Sequence, residues 1–328
     1  MLRVDSTKSL LTFSCVLFLC TSDLVSAAEL TAEKSEQGVT IKIDSKRFAE
    51  YVTKSNTKPI VYPIYGPTDK KMMRDYPLVE KVPGESSDHP HHRSLWFTHG
   101  EVNGIDFWTE VGGKKGSIVH REFGTVAGGK EATVVTKNDW MSPDNKRVCA
   151  DERTLVFGGN DDVRWIDFAI KITATDGPVE FGDTKEGSFG VRVPDAWTMP
   201  EKKGADAKKT EPKMTGMIVT SEGKTNAAAW GQPAAWVDYY GPIEGETLGI
   251  AILNHPSSFR YPTCWHVRTY GLFAANPFGK KDFKVEGQGA YHLPAGESVA
   301  FRYRVVLHKG DEKAGKIAEA FADYSKAK

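Results

Sequence analysis

Apolar and polar residues alternate with a period of two along most of this chain. The segment 165–172 reads Trp-Ile-Asp-Phe-Ala-Ile-Lys-Ile, in which apolar side chains recur at alternate positions. Alternate residues of a β-strand share a face, so the pattern is typical of an antiparallel sheet with one buried face. Comparable runs, rich in β-branched and aromatic residues, lie at 39–43, 117–126, 132–137, 147–157, 163–175, 214–220, 247–253, 264–270 and 298–308.

A helical period appears only near the end of the chain, after Gly310. Apolar residues recur there at helical spacing, at Ala314, Ile317, Phe321 and Tyr324, and Asp311 is a candidate N-cap. Because strands are predicted for most of the remaining chain, we expect an all-β fold. Its predicted form is a large antiparallel two-sheet supersandwich with a short C-terminal helix that packs against a sheet.

The segment 194–213 interrupts the strand-like runs with charged residues. A long charged loop inside a compact domain is typical of a disordered segment or a functional flap, and we interpret this one as a mobile surface excursion. No linker divides the chain elsewhere. Residues 28–328 are therefore predicted to form a single β-sandwich domain.

The segment 1–27 has the features of a removable secretion signal. Arg3 and Lys8 precede an apolar run at 10–20, and the small residues at 26–28 offer cleavage after Ala27 or Ala28. The run is shorter than the roughly 20 apolar residues that cross a bilayer. We expect a soluble mature chain, without a membrane span, that is exported to the periplasm or secreted.

Charge and cysteine content narrow the possible partners and cross-links. The chain has 43 basic and 43 acidic residues and no basic stripe, which argues against nucleic acid or anionic lipid as a partner. Cleavage of the signal would leave two cysteines, Cys149 and Cys264. Export permits a disulfide between them, but both lie in apolar runs where buried free thiols are an equally good interpretation.

The densest group of chemically active residues lies at 88–108. Four of the nine histidines fall within eleven residues there: His89, His91, His92 and His99. Imidazoles can transfer protons near neutral pH. Tryptophan faces can stack on the C–H faces of a sugar ring, while Asp, Asn, Arg and His side chains bond to its hydroxyl groups. This mixture predicts a pocket for a polyol.

Two later segments are predicted to line the same pocket. In 182–192, glycine turns carry Lys185 and Glu186 as a candidate acid–base pair and Arg192 as a candidate anion-binding residue. In 264–270, three polar or aromatic side chains at alternate positions would share one face of a strand: His266, Arg268 and Tyr270.

These segments define the candidate site. The predicted catalytic residues are His91, His92, His99, Lys185, Glu186 and His266. The predicted substrate-binding residues are His89, Arg93, Trp96, Asn103, Asp106, Trp108, Arg192, Asp238, His255, Arg268 and Asn276.

No cofactor is predicted, although a metal site stays open as an alternative. His89-x-His91, His99-x-Glu101 and His120-x-Glu122 each resemble part of a two-histidine, one-carboxylate iron site. The sequence has no glycine-rich phosphate loop, no Gly-x-Ser-x-Gly elbow and no Cys-x-x-Cys pair. Phosphoryl transfer, serine hydrolysis and structural zinc are therefore disfavoured.

The same segments resemble the PmoA-like family of exported bacterial proteins, often labelled methane oxygenase PmoA. The resemblance covers 59–308 and rests on the block 88–108, on Arg74-Asp-Tyr-Pro77, on Asp183-Thr-Lys-Glu-Gly187 and on the run from Trp265 to Gly279. It implies an association with carbohydrate degradation. Oxygenase chemistry is not carried over, because the membrane-bound monooxygenase subunits are helical bundles and this chain predicts strands.

The predicted supersandwich is also the architecture of galactose mutarotase-like proteins, which use histidines and a carboxylate on a sugar. His99-Gly100 and Asn254-His255 resemble their histidine motifs. We therefore expect a carbohydrate-active enzyme of the epimerase, lyase or hydrolase type that acts by metal-free general acid–base catalysis on a small-molecule carbohydrate. The alternatives are a non-catalytic carbohydrate-binding protein and a metal-dependent oxygenase.

Overall fold

The fold was analysed in a computed structural model that describes Met1 and residues 28–113, 115–199 and 215–327. Apart from Met1, the predicted secretion signal at 1–27 lies outside the described residues, as does most of the charged segment 194–213. Within the described ranges, none of the helices combines the length and apolar character that crossing a membrane requires.

Two eight-stranded antiparallel sheets dominate the described part of the chain, as the period-two pattern predicts. The first sheet contains, in spatial order, β1 (Leu30–Lys34), β2 (Gly38–Ile43), β3 (Lys46–Ser55), β4 (Lys58–Ile64), β5 (Leu95–His99), β11 (Gly187–Arg192), β16 (Leu272–Asn276) and β15 (Cys264–Val267). The second contains β12 (Met217–Thr220), β13 (Trp236–Ile243), β14 (Glu246–Asn254), β18 (Ser298–Lys309), β9 (Val163–Thr173), β8 (Arg147–Gly159), β7 (Ala132–Met141) and β6 (Ser117–Ala127). The prediction of an all-β, two-sheet fold is confirmed.

Smaller elements complete the described fold. They are a two-stranded sheet of β10 (Val179–Phe181) and β17 (Tyr291–Leu293), short 3-10 helices at Asp195–Trp197 and Asn226–Ala229, and the helices α1 (Lys280–Phe283) and α2 (Ile317–Tyr324). Helix α2 is the predicted C-terminal helix, and its Ile317 and Tyr324 pack on the second sheet. Asp311 does not cap it, because the Asp311 carboxylate accepts backbone N–H bonds within the preceding turn.

The main core is formed by the facing sides of the two sheets. Aromatic side chains from both meet there: the ring centroids of Phe97 and Phe301 lie 5.5 Å apart, and those of Phe189 and Tyr303 lie 4.6 Å apart. All four side chains are fully buried. Burial of apolar area at about 25 cal/mol per Å² makes this interface the main source of stability.

On the outer face of the first sheet, a row of aligned residues on four neighbouring strands leaves space for a cavity. Strand register aligns Trp96 with Gly190, Gly190 with Ala274, and Ala274 with His266. A Cβ atom at Gly190 would lie 2.6 Å from the Trp96 ring, so only glycine lets that ring lie flat across the neighbouring strand. The two small residues in the middle of the row leave space above the sheet.

The two described cysteines are buried free thiols, Cys149 on β8 and Cys264 on β15. They belong to different sheets. Burial raises the pKa of the Cys264 thiol to about 11, so this thiol stays protonated and unreactive near neutral pH. The sequence left open a disulfide between these cysteines or two buried free thiols, and the structure shows the free thiols.

Candidate functional site

A cavity of about 730 Å³ lies on the outer face of the first sheet. Its walls come mainly from three segments that are distant in sequence: the loop at 86–92, the segment 185–199, and the end of β15 with the turn that follows it. The structure thus brings together the three regions that the sequence analysis assigned to one pocket. Eight of the predicted residues line it: His89, His91, His92, Lys185, Glu186, Arg192, His266 and Arg268.

A column of four stacked rings forms one side of the cavity. The ring of His92 stacks on Trp96 with centroids 5.5 Å apart, and His89 stacks on His92 at 4.8 Å. Tyr270 closes the column on His89 at 5.1 Å, with an interplanar angle of 5°. Trp96 is therefore the base of the column and does not line the cavity itself. Such offset aromatic pairs stabilise a fixed ring geometry.

Asp88 connects the histidine loop to the sheet through charged hydrogen bonds. One carboxylate oxygen accepts from Arg74 at 2.5 Å and from Arg192 at 3.1 Å, and the other lies 2.8 Å from Nδ1 of His89. Burial opposes the charged carboxylate, but the charge of Arg192 and the bonds from Arg74 and His89 hold the pKa of Asp88 below its usual value. Asp88 therefore stays ionised and fixes the loop against β11.

His92 is buried in its neutral form. Burial, followed by the charges of neighbouring His91 and Arg192, lowers the pKa of His92 well below its usual value. Nη1 of Arg192 lies 3.3 Å from Nδ1 of His92. A guanidinium can only donate, so Nδ1 must be the acceptor and the ring proton lies on Nε2. The Arg192 bond thus sets the tautomer of this histidine.

His91 is half-buried beside His92, with ring centroids 4.4 Å apart. Burial and the charge of Lys58 lower the pKa of His91 to about 4, so the ring is a neutral base at neutral pH. Lys58 belongs to a buried ion pair with Glu110, which Arg93 also joins. Arg93 was predicted to bind substrate, but the structure places it in this ion cluster and outside the cavity lining.

His266 is the most unusual residue of the cavity wall. Its side chain is 2% exposed, and neither ring nitrogen makes a hydrogen bond of normal geometry to a described residue, although the Lys185 backbone lies close enough for a weak one. Burial and the charges of Lys185 and Arg268 lower the pKa of His266 to about 3. Strand β15 ends at Val267, earlier than predicted, and a turn carries Arg268 and Tyr270 to the same cavity.

The Lys185–Glu186 turn also lines the cavity, close to His266. Nζ of Lys185 makes an ion pair with the Glu186 carboxylate. The Lys185 backbone N–H donates to Asp282 at 2.8 Å, and Asn276 donates to the Thr184 carbonyl at 2.9 Å. Asn276 was predicted to bind substrate; the structure shows it holding this turn in place, with its side chain wholly buried.

His99 lies on the other side of the sheet from the cavity. It shares its face of β5 with Leu95 and Phe97, both of which belong to the main core. Its Nε2 donates to the Gly182 carbonyl at 2.8 Å, and its Nδ1 lies 3.3 Å from the Ser188 hydroxyl. The structure therefore does not bring this predicted catalytic residue to the site, because alternate strand residues point to opposite faces.

Four other predicted substrate-binding residues also lie outside the cavity lining. Asn103 accepts from the Glu180 backbone N–H, and Asp106 accepts the backbone N–H groups of Trp108 and Thr109, so both organise turns. Trp108 is buried against Trp96 with centroids 5.3 Å apart. His255 packs against Tyr324 and bonds to the Ala327 carbonyl, which ties down the C-terminal helix.

Asp238 is the remaining exception, on the second sheet. Its side chain is fully buried and lies 3.0 Å from Nε2 of His308, whose Nδ1 lies 3.2 Å from the Lys309 carbonyl. Both ring nitrogens therefore face acceptors, which favours the protonated imidazolium. Burial opposes the charge, but Asp238 raises the pKa of His308 above its usual value.

This pair predicts a pH dependence of stability. A histidine whose pKa is higher in the folded state than in the unfolded state contributes its full stabilisation at pH values below the unfolded pKa of about 6.5. That contribution is lost as the pH rises through the pKa of the folded state. Asp238→Asn is expected to lower the free energy of unfolding by on the order of 2 kcal/mol at low pH and by less at high pH. Urea denaturation of both proteins at pH 5.5 and 9 measures the difference. Asp161→Asn, at an exposed carboxylate, is the control; an effect of Asp238→Asn that grows with pH contradicts the assignment.

Several cavity residues were not assigned to the site from the sequence. Asp195, Thr198 and Met199 follow β11, at the described start of the charged segment. Asp195 accepts from Arg192 at 3.4 Å. Arg74 lies behind Asp88 and was noticed only in the family resemblance. For the charged members, Asp195 and Arg74, the available signal is a charge just outside a segment that is already rich in such residues.

The metal alternative has no matching residue group in the described part of the chain. Within residues 28–113, 115–199 and 215–327, no three His, Cys, Asp or Glu side chains are placed to hold a metal ion. His120, from one of the His-x-Glu pairs, lies on β6 and bonds through Nδ1 to the Thr136 hydroxyl at 2.8 Å.

Comparison with known proteins gives one family match. A family model described as "Family of unknown function (DUF6807)" matches residues 38–322. No curated protein matches the chain. No match supports the PmoA-like resemblance, which stays a prediction.

Solved structures similar to this chain include three sugar enzymes. The α-galactosidase from Lactobacillus brevis is 10% identical with a TM-score of 0.40, and the match covers 86% of this chain but only 39% of that one. A putative aldose 1-epimerase from Escherichia coli K12 is 11% identical (TM-score 0.32; 86% and 99% covered). A galactose mutarotase related enzyme from Lactobacillus acidophilus is 8% identical (TM-score 0.30; 85% and 97% covered).

Proposed function

Because the chain belongs to DUF6807, a family of unknown function, its activity has to be inferred from the residues of the site. We propose that it is an exported enzyme that converts a sugar or sugar derivative by general acid–base catalysis. The reaction type would be an epimerisation, an elimination or a hydrolysis, all of which need a proton taken from one position and returned at another.

One observation supports this proposal more than any other. The cavity holds a buried imidazole, His266, that has no hydrogen bond of normal geometry to the described residues and lies near the Lys185–Glu186 pair. Leaving a buried polar group unsatisfied costs about 1–3 kcal/mol. A structural histidine such as His99 has both nitrogens bonded, so the unsatisfied ring of His266 fits a residue whose partner is a substrate.

The protonation states suit roles in proton transfer. The pKa of His266 is lowered to about 3 and that of His91 to about 4, in both cases first by burial, so both rings are bases at neutral pH. The Lys185–Glu186 pair, which also lines the cavity, can return a proton. Arg192 and Arg268, which also line the cavity, can donate hydrogen bonds to the oxygen atoms of a sugar.

The size of the cavity agrees with a small sugar. Ligand sites for small molecules span about 300–1,000 Å³, and this cavity has about 730 Å³.

The proposal that the protein is exported rests on the secretion signal predicted at 1–27. Sequencing of the mature protein from the periplasmic fraction should find an N-terminus at Ala28 or Glu29.

A sugar panel followed by NMR tests the activity. The full-length exported protein is mixed with neutral and acidic mono- and disaccharides, and anomer exchange, elimination and hydrolysis are measured by proton spectra. Turnover of at least one sugar is expected. Binding detected by line broadening without any turnover would make this a carbohydrate-binding protein, and neither binding nor turnover across the panel would overturn the proposal.

A further inference from the structure

His89 is fixed on every side except the edge of its ring that carries Nε2. In the stacked column, this ring lies between those of His92 and Tyr270, at centroid distances of 4.8 Å and 5.1 Å. Its Nδ1 lies 2.8 Å from the Asp88 carboxylate, whereas its Nε2 makes no hydrogen bond to the described residues. The side chain is 39% exposed and lines the cavity. The part of His89 that a ligand in the cavity can reach is therefore the edge with Nε2.

The two oxygens of the Asp88 carboxylate have separate tasks. Oδ1 accepts from Arg74 at 2.5 Å and from Ser86 and Arg192 at 3.1 Å. Arg74 also donates to the backbone carbonyls of Asp88 and His89, at 2.9 Å and 3.2 Å. These bonds anchor the loop without any contribution from the His89 ring. Oδ2 bonds only to Nδ1 of that ring among the described residues, so its effect is to orient the imidazole.

The same bond sets the tautomer of His89. An ionised carboxylate can only accept, so Nδ1 must carry a hydrogen, and a ring with a single proton then has a free lone pair on Nε2. His92, the next ring of the column, has the opposite tautomer because its Nδ1 accepts from Arg192. A histidine whose Nδ1 donates to a fixed carboxylate is the arrangement that keeps Nε2 ready to take a proton in serine proteases.

We propose that His89 is a second catalytic residue of this site, exchanging a proton with the substrate through Nε2, and that Asp88 is the positioning residue that fixes its tautomer. The inference rests on the proposed function, in which His266 is the other proton-transferring group. The two rings lie close enough for the charge of His89 to act on His266. When Nε2 takes a proton from a substrate O–H or C–H, the positive charge forms beside the Asp88 carboxylate. When the imidazolium returns that proton, the ring regains its starting tautomer.

The Lys185–Glu186 pair is the competing candidate for this role. Its ammonium and carboxylate are already bonded to each other, so either group must leave its partner before it can exchange a proton with a sugar. Nε2 of His89 needs no such rearrangement. The bond to Asp88 and the stacked rings also keep this atom in place, and general acid–base catalysis depends on such positioning.

Two substitutions test the roles of His89 and Asp88. His89→Asn removes the imidazole, and asparagine tolerates the left-handed conformation of this position, which has a φ of 46°. Asp88→Asn keeps an oxygen for the arginines but can turn an amide N–H toward Nδ1, which moves the ring proton to Nε2. Each is expected to lower kcat on the sugar that the panel identifies by about 10²- to 10⁴-fold, with KM within about threefold of wild type. The double variant should be slower than His89→Asn by no more than about threefold, because Asp88 acts through His89.

Nitrogen NMR of the histidine rings gives a readout that does not depend on activity. The protein is labelled with isotope-enriched histidine, and the His89 signals are assigned by their loss in His89→Asn. For the neutral ring, the proton is expected on Nδ1 in the wild-type protein and on Nε2 in Asp88→Asn. His292→Asn is the control, because Nδ1 of His292 also pairs with a carboxylate, that of Glu180, but outside the cavity lining. Its kcat should equal that of the wild type.

Three results would contradict the inference. Full activity of His89→Asn, or a neutral wild-type ring with its proton on Nε2, would overturn it and leave the proposed function standing. So would a defect of Asp88→Asn that is just as large in the absence of His89, since Asp88 would then act only by holding the loop. Absence of turnover of every sugar by the wild-type protein would remove the proposed function and this inference with it.

Discussion

Replacing Glu110 by alanine is expected to lower the free energy of unfolding by about 3–5 kcal/mol, the usual cost of removing one partner of a buried ion pair. Nζ of Lys58 lies 2.5 Å from the Glu110 carboxylate, and the two side chains are 0% and 2% exposed. Arg93 donates from Nε to both carboxylate oxygens at 2.9 Å.

The size of this effect follows from what the substitution leaves behind. Burial already lowers the pKa of Lys58 to about 8, even though Glu110 opposes the shift. Without Glu110, Lys58 would lose its proton at neutral pH, whereas Arg93 would remain charged because a guanidinium is not deprotonated in proteins. Water or a local opening would then have to solvate Arg93, next to the histidine loop that lines the cavity.

Urea denaturation followed by tryptophan fluorescence measures this loss of stability. Glu33→Ala is the matched control, since Glu33 pairs with Lys42 on the surface and such pairs contribute little. A decrease of less than about 1 kcal/mol for Glu110→Ala would show that the cluster is solvated in solution, and the account of how the loop is supported would have to be withdrawn.

Replacing His266 by leucine is expected to lower kcat on the substrate found in the sugar panel by about 10²- to 10⁴-fold, the usual contribution of a general acid or base. The same change should leave the fold as stable as before or more stable by about 1–3 kcal/mol, because it removes a buried imidazole that makes no hydrogen bond of normal geometry to the described residues. A gain in stability with a loss of activity separates a functional residue from a structural one.

Two measurements decide the outcome for His266. Initial rates give kcat and KM, and thermal unfolding gives the stability of the same preparation. His120→Leu is the control, because His120 lies on the second sheet and bonds to Thr136. If His266→Leu keeps full activity, this residue is not the base, and His91 becomes the next residue to replace. If it unfolds the protein, His266 is a structural residue and its proposed catalytic role has to be withdrawn.

The architecture was predictable because strand periodicity is local information. The alternation in 165–172 belongs to β9, whose inward residues Ile166, Phe168 and Ile170 are buried in the core. Boundaries were less accurate. The run 264–270 ends as a strand at Val267, because Gly271 closes a turn back onto Arg268. Helix α2 likewise begins six residues after the aspartate predicted to cap it.

The composition of the cavity was partly predictable, because residues that carry charge or protons are rare in apolar runs. His91, Lys185, Arg192 and His266 all line it. The errors have one physical origin. The type of a residue indicates which bonds its side chain can make, but not which partner it will have. Arg93, Asn103 and Asp106 bond to partners in turns and ion pairs that cannot be identified from the sequence.

By itself, the sequence determined that this protein is a sheet sandwich and which short segments supply the titratable side chains of its cavity. The tertiary structure alone decided on which side of a sheet each of them lies. His99 and Trp96 are close neighbours on one strand, yet His99 points into the core between the sheets and Trp96 supports the cavity. Strand register and the absence of a side chain at Gly190 set that arrangement, and both depend on contacts between strands that are far apart in the chain.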